Sequence, residues 1–246
     1  MATLFAAESA RGRLEVRSAG RTLRLYVDGV LHSAFNPARG ITGSVWDALA
    51  LAPWLAPSPP CRSVLLLGLG GGAAVQLIRR HLRSETMTAV EIDPLAIEVA
   101  RRFFGVGGRD VEIVRADARR WLARCRRRFD LVIDDLFVEA GRIPARASGT
   151  SEPDWWRRLA ARVRRGGMLV ANFADAAALT RSGLLEDAAT GRFSSRARIT
   201  FRDYENVVVV LSEQPLSRRL LEARLCKADL RAADRRRLQM CVRTRL

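Results

Sequence analysis

Residues 64–73 read Val-Leu-Leu-Leu-Gly-Leu-Gly-Gly-Gly-Ala, and this stretch decides the fold. Four apolar residues run into a cluster of glycines, after which apolar residues recur at helical spacing as far as Leu82. The pattern predicts a buried strand, a tight turn and a helix. Glycines in such a turn allow unusual backbone dihedrals and let a ligand approach the free N–H groups at the start of the helix. The stretch therefore predicts the beginning of a nucleotide-binding unit.

An acidic residue stands where a ribose-binding carboxylate belongs in such a unit. The next predicted strand, residues 87–92, contains Glu91, which follows Gly68 by 23 residues. A carboxylate at the end of this second strand accepts hydrogen bonds from ribose hydroxyls when the ligand is a nucleoside. The glycine turn and Glu91 together therefore indicate a cofactor that contains a nucleoside.

The glycines by themselves fit two classes of cofactor. The spacing of Gly68, Gly70 and Ala73 satisfies the dinucleotide fingerprint of NAD enzymes as well as the GxGxG pattern of S-adenosylmethionine (SAM) enzymes. Asp117, which follows a predicted strand at 111–114, favours SAM, because a carboxylate there can accept a hydrogen bond from an adenine amino group. The same residue also suits the N-cap of the next helix, and the two roles are compatible.

Strands and helices alternate through the middle of the chain, which is the pattern of a parallel sheet with right-handed helical crossovers. The predicted strands are 64–67, 87–92, 111–114, 129–134 and 168–173, and the predicted helices are 72–82, 94–104, 118–128, 151–165 and about 175–188. Two further strands, 197–201 and 206–211, form an antiparallel pair across a short turn. That last pair separates the SAM-transferase pattern from a six-stranded dinucleotide fold.

Three regions are expected along the chain. Residues 1–60 hold a small antiparallel sheet within 13–35, a helix at 44–55 and a proline-rich linker. Residues 61–214 form the cofactor-binding domain, and residues 215–246 form an arginine-rich tail of one or two amphipathic helices. With 246 residues, the chain is long enough to bury a full core without a disulfide or a metal.

The strand at 129–134 leads into two adjacent acids, Asp134 and Asp135. Ligands of open α/β sheets bind outside the carboxyl ends of the strands, near the point where the strand order reverses. Consecutive strand residues point to opposite faces, so we expect only one of the two to face the cofactor easily, and we choose Asp135. The alternative is that both acids cap the following loop. Residues 136–150 have the length and the glycine and proline content of a functional lid.

The formal net charge of +16 raises the question of a nucleic-acid partner, because phosphate binding is carried by lysine and arginine. Lys227 is the single lysine, whereas arginine and alanine dominate the helices. We interpret this as a coding bias with solvated basic helix faces. We therefore expect no nucleic-acid partner.

Cysteine use and hydropathy indicate a cytoplasmic protein. The cysteines Cys61, Cys125, Cys226 and Cys241 show no CxxC pairing, and the chain has no signal-peptide pattern. Its apolar runs stop well short of the ~18 residues that a membrane span requires. We expect reduced cysteines, no membrane segment and no metal.

Four motifs together resemble the spermidine synthase-like branch of the class I SAM-dependent methyltransferase superfamily. They are Gly68-Leu69-Gly70-Gly71-Gly72, Ala89-Val90-Glu91-Ile92-Asp93-Pro94, Asp117-Ala118 and Phe129-Asp130-Leu131-Val132-Ile133-Asp134-Asp135. The resemblance covers residues 64–211, and the predicted N-terminal sheet is similar to the N-terminal β region of that family. It implies a Rossmann-like α/β fold with a mostly parallel sheet and an antiparallel last strand, preceded by a small antiparallel β region.

The resemblance also implies roles for individual residues. Glu91 would hold the ribose hydroxyls and Asp117 the adenine. The carboxylate of Asp135 would be the catalytic base that accepts the proton of the substrate amine. It also implies that Gly68, Gly70 and Gly72 border the amino-acid part of SAM. With the neighbouring Ala118 and Asp134, the residues expected to bind the cofactor are Gly68, Gly70, Gly72, Glu91, Asp117, Ala118 and Asp134.

The diamine-binding positions of authentic spermidine synthases are largely changed. Gly71 replaces an Asp, Val45-Trp46-Asp47 replaces Tyr-His-Glu, His32 replaces a Gln, and Val138 replaces a second Asp. A cationic diamine needs a carboxylate-lined pocket, because an ammonium group without a partner is costly to desolvate. We therefore expect methyl transfer from SAM to an amine or another small nucleophile. The alternatives are aminopropyl transfer from decarboxylated SAM and a non-catalytic SAM-binding protein; a homodimer is left open.

Overall fold

The computed structural model of the chain describes residues 1–140, 143–186 and 190–244, without the side chains of 139, 140 and 143–145. A four-stranded N-terminal sheet, a two-stranded hairpin and an eight-stranded central sheet organise these residues. The predicted fold class is confirmed: a mostly parallel α/β sheet follows a small antiparallel β region.

The N-terminal sheet is antiparallel throughout. Its strands, in spatial order, are β1 (Ala2–Ser9), β2 (Gly12–Ala19), β3 (Thr22–Val27) and β4 (Val30–Phe35). Alternate apolar residues of β2 and β3, such as Leu14, Val16 and Leu25, are buried in the main core. The sheet predicted within 13–35 is confirmed, and the structure contains one further strand, β1, that was not predicted. Most residues of β1 are exposed, so the apolar alternation that predicts a strand is weak there.

The central sheet places its parallel strands side by side. The remaining strands are β5 (Ser63–Leu67), β6 (Thr86–Glu91), β7 (Val111–Arg115), β8 (Phe129–Asp134), β9 (Phe137–Ala140), β10 (Ile143–Arg146), β11 (Val163–Phe173), β12 (Ser195–Phe201), β13 (Val207–Ser212) and β14 (Met240–Arg243). The central order is β14-β12-β13-β11-β8-β5-β6-β7, in which β11, β8, β5, β6 and β7 are parallel. The chain builds β6 and β7 on one side of β5 and then crosses to β8 on the other, so a crevice forms at the carboxyl ends of β5 and β8.

Helices cover both faces of the central sheet. They are α1 (Val45–Leu51), which continues as a 3-10 turn (Ala52–Leu55), α2 (Ala73–Leu82), α3 (Pro94–Phe104), α4 (Ala118–Arg124), α5 (Pro153–Arg162), α6 (Ala176–Arg181), α7 (Arg218–Lys227) and α8 (Ala232–Arg237). Asp93 caps α3 by accepting a hydrogen bond from Leu95 N at 2.9 Å, and Pro94 occupies the first helical position. Trp155 and Trp156 of α5 are buried in the core on one face of the sheet.

Several predicted boundaries differ in the structure. Helix α4 ends at Arg124 rather than at 128. Strand β11 begins at Val163, although residues 163–167 were expected to form a helix end and a glycine turn, and its pairing with β8 is irregular between Val163 and Met168. Within the expected lid at 136–150, β9 and β10 pair as an antiparallel hairpin; its Gly141 lies outside the described residues. The helix expected up to 188 is α6, and residues 187–189 are likewise outside the described part.

The C-terminal segment contains a strand in addition to helices α7 and α8. Strand β14 pairs with β12 and thereby joins the edge of the central sheet, with Val242 buried opposite Ile199. A strand of four residues with one buried apolar side chain carries almost no periodic signal, so helices alone were predicted there. The division of the chain at residues 60 and 214 stays a prediction.

Candidate active site

A cleft of about 940 Å³ lies at the carboxyl ends of the parallel strands. Its walls come from the glycine turn after β5, from the ends of β6, β7, β8 and β11, and from β2, β3 and β4 of the N-terminal sheet. A volume of this size accommodates a nucleoside together with a small second substrate. The strand reversal between β5 and β8 therefore coincides with this cleft.

The glycine turn brings two elements into direct backbone contact. Gly68 has φ +88°, and a Cβ placed on it would lie 2.3 Å from the carbonyl oxygen of Asp135. Gly68 and Gly70 both line the cleft, as expected. Gly72 does not line it; it is the left-handed N-cap of α2, where a Cβ would meet Val106 at 2.2 Å. This glycine therefore serves the packing of the turn, and its predicted contact with the cofactor stays a prediction.

Glu91 connects the glycine turn to the end of β6 through hydrogen bonds. Its carboxylate accepts hydrogen bonds from the backbone N–H groups of Leu69 (3.0 Å), Gly70 (3.3 Å), Ile92 (2.8 Å) and Asp93 (3.0 Å). The side chain is half-buried and lines the cleft. Glu91 thus lies beside the turn where a nucleoside ligand would meet it, and its contact with a ribose remains a prediction.

Asp117 and Ala118 line the cleft after β7. The Asp117 side chain accepts a hydrogen bond from Arg120 N at 2.9 Å, so the N-cap of α4 is confirmed. The cap uses Oδ1 and keeps the half-buried carboxylate at the cleft wall. Adenine binding by this residue remains a prediction that is compatible with the cap.

Asp134 does not reach the cleft. Its carboxylate is fully buried and accepts hydrogen bonds from Arg146 Nη2 at 2.5 Å and Trp155 Nε1 at 2.7 Å. The Arg146 guanidinium also stacks against the rings of Trp156 and Phe173. The prediction that Asp134 binds the cofactor is corrected: consecutive residues at the end of β8 point apart, and Asp134 points into the core.

Asp135 lies on the face of β8 opposite to Asp134 and lines the cleft. Its backbone N–H donates to Leu67 O at 2.9 Å, and its Oδ1 accepts a hydrogen bond from Asn172 Nδ2 at 2.8 Å. Burial raises the pKa of Asp135 from 3.8 to about 6; the negative charge of Asp134 adds to this rise, whereas Asn172, Arg146 and His32 act against it. A carboxylate with this pKa is ionised near neutral pH and is able to accept a proton.

Asn172 and Asn206 were not predicted from the sequence. Asn172, at the end of β11, is 2% exposed, and its Oδ1 accepts a hydrogen bond from Asn206 Nδ2 at 3.2 Å. Since Asn206 donates to Oδ1, Asn172 presents its amide nitrogen to Asp135, which fixes the orientation of both groups. The available signal was a polar residue at the carboxyl end of an apolar strand, which is where ligands bind in such sheets.

The described residues give no sign of a metal centre or of a membrane-spanning helix. No group of three or more histidine, cysteine, aspartate or glutamate side chains is arranged to hold a metal ion in this part of the chain. None of the helices within it is long and apolar enough to span a bilayer. All four cysteines are free.

Comparison with protein families identifies one family for this chain. The model of the spermine/spermidine synthase domain matches residues 52–175. Polyamine aminopropyltransferase 2 of Hyperthermus butylicus is 32% identical over 161 residues, which cover 62% of this chain and 50% of that protein. The eEF1A lysine and N-terminal methyltransferase homologue of Drosophila pseudoobscura is 35% identical over 79 residues, 30% of this chain and 12% of that protein. These matches span half or less of the length of the relatives.

The solved structures share the fold. A probable spermidine synthase from Corynebacterium glutamicum superposes with a TM-score of 0.74 at 17% identity, and the superposition covers 98% of this chain and 90% of that one. Nearly the whole chain, including the N-terminal sheet, therefore follows a known architecture.

Proposed function

Because the chain belongs to the spermine/spermidine synthase domain family, we propose that it is a transferase that moves an alkyl group from a SAM-type sulfonium to an amine. Aminopropyl transfer from decarboxylated SAM is the first candidate, because the relative from Hyperthermus butylicus, which matches 62% of this chain, is named a polyamine aminopropyltransferase. One observation carries the proposal: the carboxylate of Asp135 faces the cleft directly beside the glycine turn, with a pKa raised to about 6.

The cleft fits the nucleoside part of such a donor. Side-chain-free backbone at Gly68 and Gly70 borders the cavity, and the Glu91 carboxylate stands beside it at the end of the second parallel strand. Glu91 would hold the ribose, while Asp117 and Ala118 would hold the adenine. A bound sulfonium supplies an electrophilic carbon and a neutral thioether as leaving group.

The residues of the chain then have two tasks, to hold donor and acceptor in line and to remove one proton. A bond forms between the acceptor nitrogen and the transferred carbon as the carbon–sulfur bond breaks. The electron pair of that bond stays on sulfur, and the surplus N–H proton passes to the Asp135 carboxylate. The hydrogen bond from Asn172 to Oδ1 keeps the Asp135 carboxylate oriented while this carboxylate accepts the proton.

Methyl transfer from SAM is the second candidate, and the packing around Gly71 favours it. A Cβ on Gly71 would lie 2.7 Å from Ser33 Cβ and 3.0 Å from the Phe104 ring, so this position has no room for a carboxylate. The aminopropyl arm of decarboxylated SAM carries an ammonium that needs a negative partner, whereas in SAM the carboxylate of the same arm balances that charge. The methyltransferase homologue among the relatives supports the same alternative.

Product analysis decides between these candidates. The purified protein is incubated with SAM or decarboxylated SAM and a panel of amines, and the products are identified by mass spectrometry. Asp135→Asn should reduce transfer by about 10²–10⁴-fold, which is the usual contribution of a general base. Asp154→Asn removes an exposed acid of α5 and should leave the rate unchanged. Full activity of Asp135→Asn would remove this residue from the mechanism, and no alkylated product with either donor would refute the proposed function.

A further inference from the structure

We propose that the acceptor is an amine with a single ammonium group and an apolar or aromatic body, rather than a diamine. This inference rests on the proposed function, because it concerns the acceptor side of the same cleft. It follows from the way in which the strand order distributes charge along the cavity.

The strand order divides the cleft into two halves. Glu91, Asp93 and Asp117 follow β6 and β7, on one side of β5. Asp135 and Asn172 stand at the ends of β8 and β11, on the other side. Neighbouring strands are spaced by about 4.8 Å, so β6 and β8, which flank β5, lie roughly 10 Å apart. The acids of the donor half are already engaged on that side, because Glu91 accepts four backbone hydrogen bonds and Asp93 and Asp117 cap helices.

Among the described side chains at the ends of β8 and β11, Asp135 is the single carboxylate that lines the cleft. Asp28 also lines the cleft, but it lies at the turn between β3 and β4 and accepts a hydrogen bond from Arg13 N. Asp134 is buried and paired with Arg146. Asp47 is adjacent to the cleft residue Trp46, but it is 1% exposed, and its carboxylate accepts hydrogen bonds from the backbone of Thr42, Gly43 and Ser44. Neither Asp134 nor Asp47 is available to a ligand.

The other walls of the acceptor half are largely apolar. Val45 and Trp46 come from α1, which packs against β11 and β13, and Phe137 and Val138 come from β9. Tyr204, which precedes β13, adds a third aromatic ring after Trp46 and Phe137.

Among the described residues, the ends of β8 and β11 offer no second counter-ion for a cation. Arg146 and Asp134 are paired with each other in the core. A second ammonium would therefore lose its hydration without gaining a counter-ion, while an alkyl or aryl group would find matching walls.

The test compares putrescine with butylamine, which has the same carbon chain and one amino group fewer. Binding of each amine to the protein saturated with 5′-methylthioadenosine is measured by calorimetry. We expect butylamine to bind about tenfold or more tightly than putrescine, and phenethylamine to bind at least as well as butylamine. Equal or tighter binding of putrescine, or no binding of any of the three amines, would overturn the inference.

A gain of charge provides an independent arm. Val138→Asp places a carboxylate on the apolar wall and should improve putrescine binding about tenfold, whereas Val138→Asn adds a side chain of the same size without the charge and should not. An equal response of both variants would contradict the charge argument. Turnover with the same amines is followed in parallel: transfer to none of them would refute the proposed function, while the ranking of affinities decides the acceptor class by itself.

Discussion

The backbone of Gly68 packs directly against that of Asp135, so that a Cβ on the glycine would stand 2.3 Å from the Asp135 carbonyl oxygen. The turn that borders the donor site and the segment that carries the proposed base are therefore in contact without any intervening side chain. The two substrates of the proposed reaction would meet at this contact.

Gly68→Ala should disrupt both sites at once. The added methyl group meets backbone, and φ is +88°, so we expect a loss of about 1–3 kcal/mol in unfolding free energy together with a loss of donor binding. Thermal unfolding and calorimetry with SAM measure the two effects. Gly20→Ala is the matched control, because Gly20 also has a positive φ but nothing lies within 4 Å of its Cβ position. A Gly68→Ala variant that resembles this control would show that the contact is not restrictive.

The hydrogen bond from Asn172 should control the pH dependence of the reaction. This bond stabilises the ionised form of Asp135 and so lowers the carboxyl pKa relative to burial alone. Activity should rise with pH through about 6, the pKa of Asp135. Asn172→Ala should move this limb of the kcat/KM profile upward by about one pH unit. Asn206→Ala, which leaves the Asn172–Asp135 bond in place, should cause a smaller shift; an unchanged midpoint in Asn172→Ala would rule out the positioning role.

Asp135→Asn should make the folded protein more stable at neutral and alkaline pH. The pKa of Asp135 is about 6 in the folded protein against an ordinary 3.8, so the folded state binds more protons between these values. Stability contributed by this group therefore falls as the pH rises through that window. Removing the charge should raise the unfolding free energy by about 1–3 kcal/mol at about pH 8, and the gain should shrink toward about pH 4. Denaturant titrations at both pH values test this, and a gain that is independent of pH would contradict it.

Arg146→Ala should be strongly destabilising, because it leaves the Asp134 carboxylate buried without its partner. We expect the free energy of unfolding, measured by urea titration, to fall by about 3–5 kcal/mol, and a second substitution, Asp134→Asn, should recover part of this loss. Arg164→Ala is the control: it breaks an ion pair with Asp130 in which the arginine is largely exposed, and it should cost less than about 1 kcal/mol. Similar losses in the two single variants would show that burial of the pair is not decisive.

Glu91→Gln should weaken donor binding through two routes. It removes the charge proposed to hold the ribose, and its amide group confronts backbone N–H donors that the carboxylate now satisfies. A charged hydrogen bond is worth about 1.5–3 kcal/mol, so the affinity for SAM should fall at least about tenfold. Calorimetry measures this, with the exposed Glu85→Gln as control. Unchanged affinity in Glu91→Gln would show that the ribose site lies elsewhere.

The sequence predicted what depends on local pattern and on strand ends. The alternation of side chains along β8 predicted that only one of Asp134 and Asp135 faces the cleft easily, and the glycine turn predicted the donor side. The Arg146–Asp134 pair depends on how the hairpin packs on the sheet, and the Asn172–Asp135 bond depends on the pairing of β8 with β11. Neither follows from spacing along the chain. Asp134 was assigned to the cofactor because its motif contains a cleft residue, although its own side chain points into the core.

The placement of β4 over the glycine turn has a consequence for protein engineering. Ser33 Oγ accepts a hydrogen bond from Ala73 N at the start of α2, and the His32 carbonyl covers Gly70. The N-terminal sheet is thus not an exchangeable module. A chimera that took residues 1–35 from another protein would have to supply both the hydroxyl and the carbonyl in register, since otherwise the graft would alter the donor site along with the surface it was meant to replace.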